Sequence, residues 1–221
     1  MHRTQIEAQL LEGCRRLAAK GFLNTPADSF SMRVPGSMEM ILASGHEDWR
    51  QIANADLHAT PFSLIEGLVG LHASIYQARS DVGAVAISSP KGVRLLARYG
   101  GQLPPIFDEQ VRHIGLSAGL LENDKKISRE MVKKTFRQGA NAALLGERLL
   151  CLGMTCDRLL FNTELFEKCA NAYVIARASG NRIGFIPMWV RLIANRRLLR
   201  DERRAAASYR DGHAPEGTTA Y

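Results

Sequence analysis

The fold of this chain is decided by the stretch HASIYQARSDVGAVAISSP, which occupies residues 72–90. Its first part completes a helical pattern over Leu64–Arg79, where apolar side chains recur every three or four residues. Its middle, Val82–Ile87, is a short apolar run of the kind found in buried strands. Its end opens a second predicted helix, Ser88–Tyr99, with Pro90 in the first turn, where proline is well tolerated.

Upstream of this stretch, the sequence predicts one helix and one hairpin. Thr4–Lys20 has the apolar spacing of an amphipathic helix, and Gly21 follows it as a stop signal. Ser29–Val34 alternates polar and apolar residues, and Met38–Ala43 has the composition of a second strand. The Pro-Gly turn between these two segments predicts a β-hairpin.

Downstream, the pattern predicts two helices, a pair of strands and a final helix. The helices cover Ile127–Gly139 and Glu164–Gly180, and the strands cover Ala142–Leu145 and Leu149–Leu152. The arginine-rich stretch Pro187–Tyr209 is predicted as an exposed helix. Helices that flank a mixed sheet indicate an α/β or α+β sandwich.

Composition favours a globular protein of the cytoplasm. No apolar run approaches the roughly 20 residues of a membrane-spanning helix, and the first residues lack the apolar segment of a secretory signal. The four cysteines lack C-x-x-C spacing, so free thiols are expected. The net charge is +7, and more than half of it falls after residue 181. Acidic residues interrupt that basic run, so a solvated or intersubunit helix is favoured over a nucleic-acid or membrane site.

The quoted stretch also resembles the signature of the class II aldolase/adducin family, in which a His-x-x-x-Tyr helix leads through Arg-Pro-Asp-Val to a central strand. Other segments resemble the family's hairpin, turn, closing strand pair and closing helix: SFSMR at 29–33, ILASG at 41–45, Ala143–Leu145, Gly153 and Glu164–Ala176. The resemblance runs from Gln5 to Gly184. The family includes fuculose-phosphate aldolase, ribulose-phosphate epimerase and the head domain of adducin.

This resemblance implies an α/β three-layer sandwich, with a mostly antiparallel sheet of nine strands at its centre and helices on both faces. It assigns residues 1–186 to the family domain and leaves residues 187–221 as a basic C-terminal helix and tail. It also implies a homotetramer whose active sites lie between subunits. In such enzymes a zinc or similar divalent cation polarises a carbonyl group of a sugar phosphate and stabilises the enediolate.

The family holds that cation with three histidines, and none of the matching positions in this chain is a histidine. Pro90 and Gly153 fix the register and place Ile87, Ser89 and Glu147 at those positions. Ile87 has no donor atom, and a serine hydroxyl is a poor zinc ligand beside imidazole or thiolate. We therefore expect no metal cofactor in this chain, although the family would use zinc or another divalent cation.

Two residues are candidates for catalysis, Glu66 and Arg148. The family's catalytic acid aligns with Leu68, and Glu66 is the nearest carboxylate, two residues earlier, which turns a helical side chain by about 200°. Glu66 fills the role only if the helix starts differently. Otherwise it is an exposed residue of the first turn, where its charge favours the helix dipole. Arg148 would supply the positive charge that the metal supplies elsewhere in the family.

A small anionic molecule is the expected ligand. The residues expected to bind it are serines and one glycine from the family's phosphate-binding hairpin, turn and strand end: Ser29, Ser31, Ser44, Gly45, Ser88 and Ser89. Asp28 stands where the family has glycine, and its charge would repel a phosphate. The alternative is a hairpin held together by ordinary serine hydrogen bonds. His72 matches the family's helix histidine and is expected to be structural.

Two functions stay open from the sequence. The first is a metal-free protein on the aldolase scaffold, which serves in small-molecule binding, regulation or structure. The second is a carbon–carbon lyase, epimerase or decarboxylase-type enzyme that acts on a sugar phosphate or a small hydroxy acid. In that enzyme Glu147 and Arg148 would line a rebuilt pocket together with Ser88 and Ser89.

Overall fold

A computed structural model describes residues 2–64, 66–121, 128–180 and 182–216 of the protein. The helices in these ranges are α1 Arg3–Ala19, α2 Gly67–Ala78, α3 Lys91–Arg98, α4 Asp108–His113, α5 Arg129–Thr135, α6 Cys156–Ala178 and α7 Met188–Arg210. The strands are β1 Ser29–Arg33, β2 Glu39–Ser44, β3 His58–Pro61, β4 Ala84–Ser88, β5 Gly119–Leu121, β6 Ala142–Leu145 and β7 Arg148–Gly153. A short 3-10 helix covers Asn54–Asp56.

The strands form one sheet in the order β3-β2-β1-β4-β7-β6-β5. Neighbouring strands are antiparallel, except for the parallel pair β5 and β6. The expected mostly antiparallel sheet is thus confirmed, but the expected nine strands are wrong, because the described ranges form seven. Pro104 and Pro105 lack the N–H groups that a strand ladder needs, and the chain after them folds as helix α4.

Helices cover both faces of the sheet, and β4 shows why. Ala84 and Ala86 of β4 join a buried cluster with side chains of α1, α3 and α6. Val85 and Ile87 point the other way and join a second cluster with side chains of α2 and α5. Because alternate residues of a strand face opposite sides, a strand that is apolar throughout must lie between two covered faces. The expected helix–sheet–helix layering is confirmed.

Several boundaries and three short elements differ from the sequence prediction. Helix α6 begins at Cys156, well before the predicted Glu164, because Thr155 caps it by accepting a hydrogen bond from the Arg158 N–H. Helix α2 begins at Gly67, after the predicted Leu64. The elements β3, α4 and β5 span only three to six residues each, too short for a periodic pattern to be recognised.

Helix α7 is attached to the domain and not simply solvated. It packs along α4, and one side of it buries Leu198 and Ala205. The same side buries the carboxylate of Glu202, which is fully inaccessible to solvent. The predicted division at residue 186 stays a prediction, and it separates α7 from side chains that it contacts. None of the described helices combines the length and the apolar character needed to cross a bilayer.

Candidate functional site

One end of the sheet collects most of the residues that the sequence analysis singled out. Strand β1 begins there with Ser29, which is paired with Ser44 at the end of β2 and with Ile87 in β4. Strand β4 ends at Ser88, opposite Leu149 near the start of β7. The tight turn from β6 to β7 therefore lies at the same end. We refer to this region as the Ser29 end of the sheet.

A buried carboxylate closes the loop that leads into β1. Asp28 is fully buried and accepts a hydrogen bond from the Ser89 hydroxyl at 2.6 Å. The other oxygen of Asp28 accepts the backbone N–H groups of Asn24 at 2.8 Å and Thr25 at 2.9 Å. The N–H of Ser89 donates to the carbonyl of Phe22. These bonds satisfy the negative charge of Asp28 and fasten the loop to the end of β4.

The side chains just before Ser89 are turned away from solvent. Ile87 is fully buried in the apolar cluster beneath α2 and α5. Ser88 is also fully buried, and its hydroxyl has no hydrogen-bond partner in the described part of the chain. A buried hydroxyl without a partner carries a desolvation cost of about 1–3 kcal/mol.

The turn from β6 to β7 carries two charged residues in different environments. The carboxylate of Glu147 lies 3.2 Å from Nε of Arg98, and both side chains are more than half exposed. Glu147 therefore has Arg98 as an ion-pair partner. The guanidinium of Arg148 instead donates to the carbonyl oxygen of Ala27 at 2.6 Å. Arg148 therefore holds the loop beside Asp28 and stays at the rim of the Ser29 end.

The serines of β1 bind a histidine of α2. Ser29 Oγ lies 2.8 Å from Nε2 of His72, and Ser31 Oγ lies 2.7 Å from Nδ1. The hydroxyl of Ser31 also lies 2.9 Å from that of Tyr76. All four side chains are buried, and burial lowers the pKa of His72 to about 3, so the imidazole is neutral. This arrangement agrees with a structural His72, and anion binding by Ser29 and Ser31 would require these hydrogen bonds to be given up.

Gly45 and Glu66, two other predicted site residues, are accessible to solvent. Gly45 follows β2 with a φ of +73°, and a Cβ added there would meet no atom within 4 Å. Glu66 is exposed and precedes the first residue of α2. Helix α2 runs in the same direction as β1, because His72 contacts Ser29 at the start of the strand and Arg33 at its end donates to the carbonyl of Arg79. Glu66 therefore lies toward the Ser29 end, ahead of the regular helix.

A family model described as "Class II Aldolase and Adducin N-terminal domain" matches residues 8–174 of the chain. This chain belongs to the class II aldolase and adducin family. The matched residues include the Ser29 end, the His72 contacts and the two strands after Asn141. No curated protein matches the chain by sequence.

Solved structures of the class II aldolase family share the fold. An L-fuculose 1-phosphate aldolase has 18% sequence identity and a TM-score of 0.76, over 89% of this chain and 97% of the other. L-fuculose 1-phosphate aldolase from Glaciozyma antarctica PI12 has 17% identity and a TM-score of 0.72, over 95% and 90%. An aldolase II superfamily protein from Pseudomonas syringae has 19% identity and a TM-score of 0.70, over 94% and 95%. At such identities the likeness establishes the fold alone.

The three residues that the sequence analysis aligned with the family's metal ligands do not fit a zinc ion. Ile87 offers no donor and lies in the core, and the hydroxyl of Ser89 is engaged by Asp28. Glu147 is exposed and paired with Arg98. Across the ranges that the structure describes, no group of three or more His, Cys, Asp or Glu side chains is arranged to hold a metal ion.

The four cysteines are unpaired and buried, as the sequence predicts. Burial raises the pKa of Cys151, Cys156 and Cys169 to about 12, and it raises the pKa of Cys14 as well. A thiol with such a pKa is not a thiolate nucleophile near neutral pH. Cysteine chemistry is therefore not a candidate for this family member.

Sequence reasoning missed a buried charge network at the opposite end of α2. The guanidinium of Arg79 makes two hydrogen bonds of 2.7 Å to the carboxylate of Asp81 and lies 3.0 Å from Glu202 of α7. It also donates to backbone carbonyls within residues 136–140. Burial raises the pKa of Glu202, and the charge of Arg79 opposes that rise. The Arg-Ser-Asp motif in the quoted stretch is the signal that could have indicated the first pair, whereas nothing local indicates Glu202.

Arg33, the last residue of the SFSMR segment, has contacts that the sequence did not indicate. Its guanidinium lies about 5 Å from the ring centres of Phe62, Tyr76 and Tyr209. The hydroxyl of Tyr209 in turn donates to the carbonyl of Met154. Arg33 thus connects β1, α2 and α7 by cation–π contacts.

Proposed function

We propose that this family member functions without the catalytic divalent cation of the class II aldolases and binds a small anionic molecule at the Ser29 end of the sheet. The hydrogen bond between Asp28 and Ser89 carries the proposal. Two residues that depart from the family pattern, one in place of a glycine and one in place of a histidine, bind each other at 2.6 Å. Because both residues of this hydrogen bond differ from the family pattern, the pair supports a rebuilt site.

The charges around the rim support an anionic ligand. Asp28 is buried and its charge is satisfied by three donors, while Glu147 is paired with Arg98. The guanidinium of Arg148 lies half-buried at the rim, and the turn at Gly45 is open to solvent. An arginine with a fixed orientation is well suited to bind a carboxylate or phosphate. We take Arg148 as the principal anion ligand.

Enzyme chemistry on a sugar phosphate or small hydroxy acid is the second candidate. The observation in its favour is that α2 directs its N-terminal end, with the exposed Glu66, toward the same end of the sheet as Arg148. Arg148 would stabilise an enolate-like oxyanion, and Glu66 would move the proton. Loss of turnover in Glu66→Gln with retained ligand binding would distinguish this candidate from simple binding.

Metal analysis of protein prepared without a chelating tag tests the metal-free proposal. We expect much less than one zinc per chain and a melting temperature that changes with neither zinc nor a chelator. A variant that combines Asp28→Gly, Ile87→His, Ser89→His and Glu147→His should gain zinc binding. The matched control omits only Ser89→His and should bind zinc more weakly. One tightly held zinc per chain in the unaltered protein would contradict the proposal.

Thermal stabilisation by sugar phosphates and small hydroxy acids tests the anion site. We expect stabilisation that Arg148→Ala and Ser89→Ala abolish or weaken, because one removes the charge and the other releases Asp28. Arg94→Ala, an exposed arginine of α3, is the matched control and should leave binding unchanged. Stabilisation that survives both site variants would count against the site.

We also propose a homotetramer, on the strength of the family resemblance, and sedimentation velocity measures it directly. A chain that sediments as a monomer at every accessible concentration would contradict the tetramer.

A further inference from the structure

A small cavity lies at the end of the sheet opposite the Ser29 end. It has a volume of about 110 Å³ and is bordered by the end of β1, the first turn of α6 and the end of α7. Strand β1 runs from Ser29 to Arg33, so the cavity is about 13 Å from the Ser29 end, from a rise of about 3.3 Å per residue. We call it the Arg33 cavity, and it is separate from the proposed anion site.

The size of the Arg33 cavity limits what it can hold. A protein cavity of about 150 Å³ holds a molecule of benzene. A volume of about 110 Å³ therefore accommodates a ligand of roughly four to six heavy atoms. A sugar phosphate, which we expect at the Ser29 end, is too large for it.

Arg33 is the cation of this cavity, and the groups that hold it carry no negative charge. Its Nε donates to the carbonyl of Val82 at 2.8 Å, and its Nη2 donates to the carbonyls of Tyr76 at 2.8 Å and Arg79 at 3.0 Å. Across the described ranges Nη1 has no hydrogen-bond partner, and the guanidinium has no ion pair. Burial lowers the pKa of Arg33, because a poorly solvated charge is disfavoured. A carboxylate in the cavity would supply the missing acceptor and the counter-charge.

An acidic residue lies at the mouth of the same cavity. Asp157 belongs to the first turn of α6, is exposed, and has no ion pair in the described part of the chain. Its neighbour Thr155 also lines the cavity, but the Thr155 hydroxyl already accepts the N–H of Arg158. Because Asp157 would repel a dianion such as phosphate, a ligand without net charge fits the cavity better.

Much of the remaining wall is apolar. Met32 and Cys156 line the cavity and are both buried, and Ala214 lines it from the segment after α7. A ligand with a hydrogen atom or a methyl group as its side chain would fill this part. A longer polar side chain would exceed the volume of the cavity.

We propose that the Arg33 cavity binds a small zwitterion, an α-amino acid with a small side chain. Arg33 binds the carboxylate of the ligand, and Asp157 binds its ammonium group. Glycine and L-alanine fall within the size range of the cavity. The ligand contacts β1 and α6 at the point where α7 ends, so its binding stabilises the folded chain.

Titration of the full chain, followed by saturation-transfer NMR of the ligand, tests the proposal with a matched set of molecules. Propionate is L-alanine without the ammonium group, and ethylamine is L-alanine without the carboxylate. We expect glycine and L-alanine to bind with a Kd in the millimolar range, and ethylamine to bind about tenfold more weakly than L-alanine. Propionate should bind about threefold more weakly, because the contact that it lacks is with an exposed carboxylate.

Variants of the two charged residues assign the ends of the ligand. Arg33→Met keeps an unbranched apolar side chain, removes the charge, and should weaken L-alanine binding about tenfold. Asp157→Asn should abolish the preference for L-alanine over propionate. Asp108→Asn is the matched control, because Asp108 is an exposed carboxylate in the first turn of α4. It should leave the preference unchanged.

A variant that narrows the cavity leaves both charges in place. Ala214→Leu should weaken L-alanine binding, because the larger side chain occupies part of the volume. Ala207→Leu makes the same change at an exposed position of α7 and should have no effect. Circular dichroism verifies that each variant is folded, and Ala214→Leu and Asp157→Asn decide the question if Arg33→Met does not fold.

Four results would overturn the proposal. The first is no binding of L-alanine well above the millimolar range, and the second is equal binding of L-alanine and propionate by the unaltered chain. The third is L-alanine binding that Asp157→Asn and Ala214→Leu both leave unchanged. The fourth is loss of L-alanine binding in Arg148→Ala, which would place the ligand at the Ser29 end. We expect Arg148→Ala to bind L-alanine normally, whether or not the anion site itself is confirmed.

Discussion

His72 shows how one buried side chain makes the stability of the protein depend on pH. Burial lowers its pKa from 6.5 to about 3, whereas the unfolded chain protonates its imidazole near pH 6.5. Between these values the unfolded state binds more protons, so stability is full above pH 6.5 and falls as the pH falls. We expect His72 alone to lower the free energy of unfolding by about 2 kcal/mol at pH 5.

Urea denaturation between pH 7.5 and pH 5 measures this loss, and His72→Gln is the comparison. The glutamine keeps a polar group between Ser29 and Ser31 but does not titrate. His113, which is also buried with a pKa lowered to about 3, contributes equally to both proteins. Identical pH slopes for the two proteins would show that His72 is not the group responsible.

The hydrogen bond between Asp28 and Ser89 allows a second prediction at the residue scale. Ser89→Ala should cost about 1–2 kcal/mol of unfolding free energy, because Asp28 loses one of three donors. Asp28→Ala should cost more, since it leaves the buried N–H groups of Asn24 and Thr25 without their acceptor. In the double variant the two losses should be less than additive, which a double-mutant cycle in urea detects.

Between elements, the contact of Arg79, just after α2, with Glu202 on α7 connects the C-terminal helix to the domain. Glu202 is fully buried, and its second oxygen accepts the N–H of Gly139 at 2.8 Å. Glu202→Ala should cost about 3 kcal/mol, because it removes one partner of a buried ion pair and leaves that N–H unpaired. Asp211→Ala, an exposed carboxylate at the end of α7, should change the stability by less than about 0.5 kcal/mol. Equal losses from the two changes would contradict the structural role of Glu202.

The arrangement of elements could be predicted in part. Helix α1 is recognisable because its apolar residues recur with the helical period, and β4 is recognisable as a continuous apolar run. The three-residue strand β5 and the four-residue strand β3 contain too few residues to show one. They lie at the two edges of the sheet, where pairing with a single neighbour decides whether a strand forms. The expectation of nine strands came from the resemblance and was wrong for the described ranges.

For the molecule as a whole, removing residues 187–221 tests whether the predicted boundary at residue 186 separates independent parts. The truncation deletes Glu202, which contacts Arg79, and Tyr209, which contacts Arg33. We expect the remaining chain to lose its cooperative unfolding transition or to melt far below the full-length protein. Unchanged melting by circular dichroism would establish that the family domain is complete without α7.

Some features of the candidate site could be read from the sequence, and others appear only in the folded chain. Position along the chain placed Ile87, Ser89 and Glu147 at the family metal positions, and strand pairing brings their elements to one end of the sheet. Sequence reasoning considered Asp28 only as a charge that repels phosphate. Its hydrogen bond to Ser89 joins residues 61 positions apart. A local sequence pattern cannot indicate a partner at that separation.

The order of the long helices and strands, the alternation of β4 between two cores, and the family itself follow from patterns that neighbouring residues create. The side-chain partners of Asp28, His72 and Arg79 come only from the folded chain. Periodicity reports which side of an element is apolar, but not which polar group lies opposite it. That choice depends on strand order and helix packing, and it turned possible anion ligands into buried hydrogen-bond partners of a histidine.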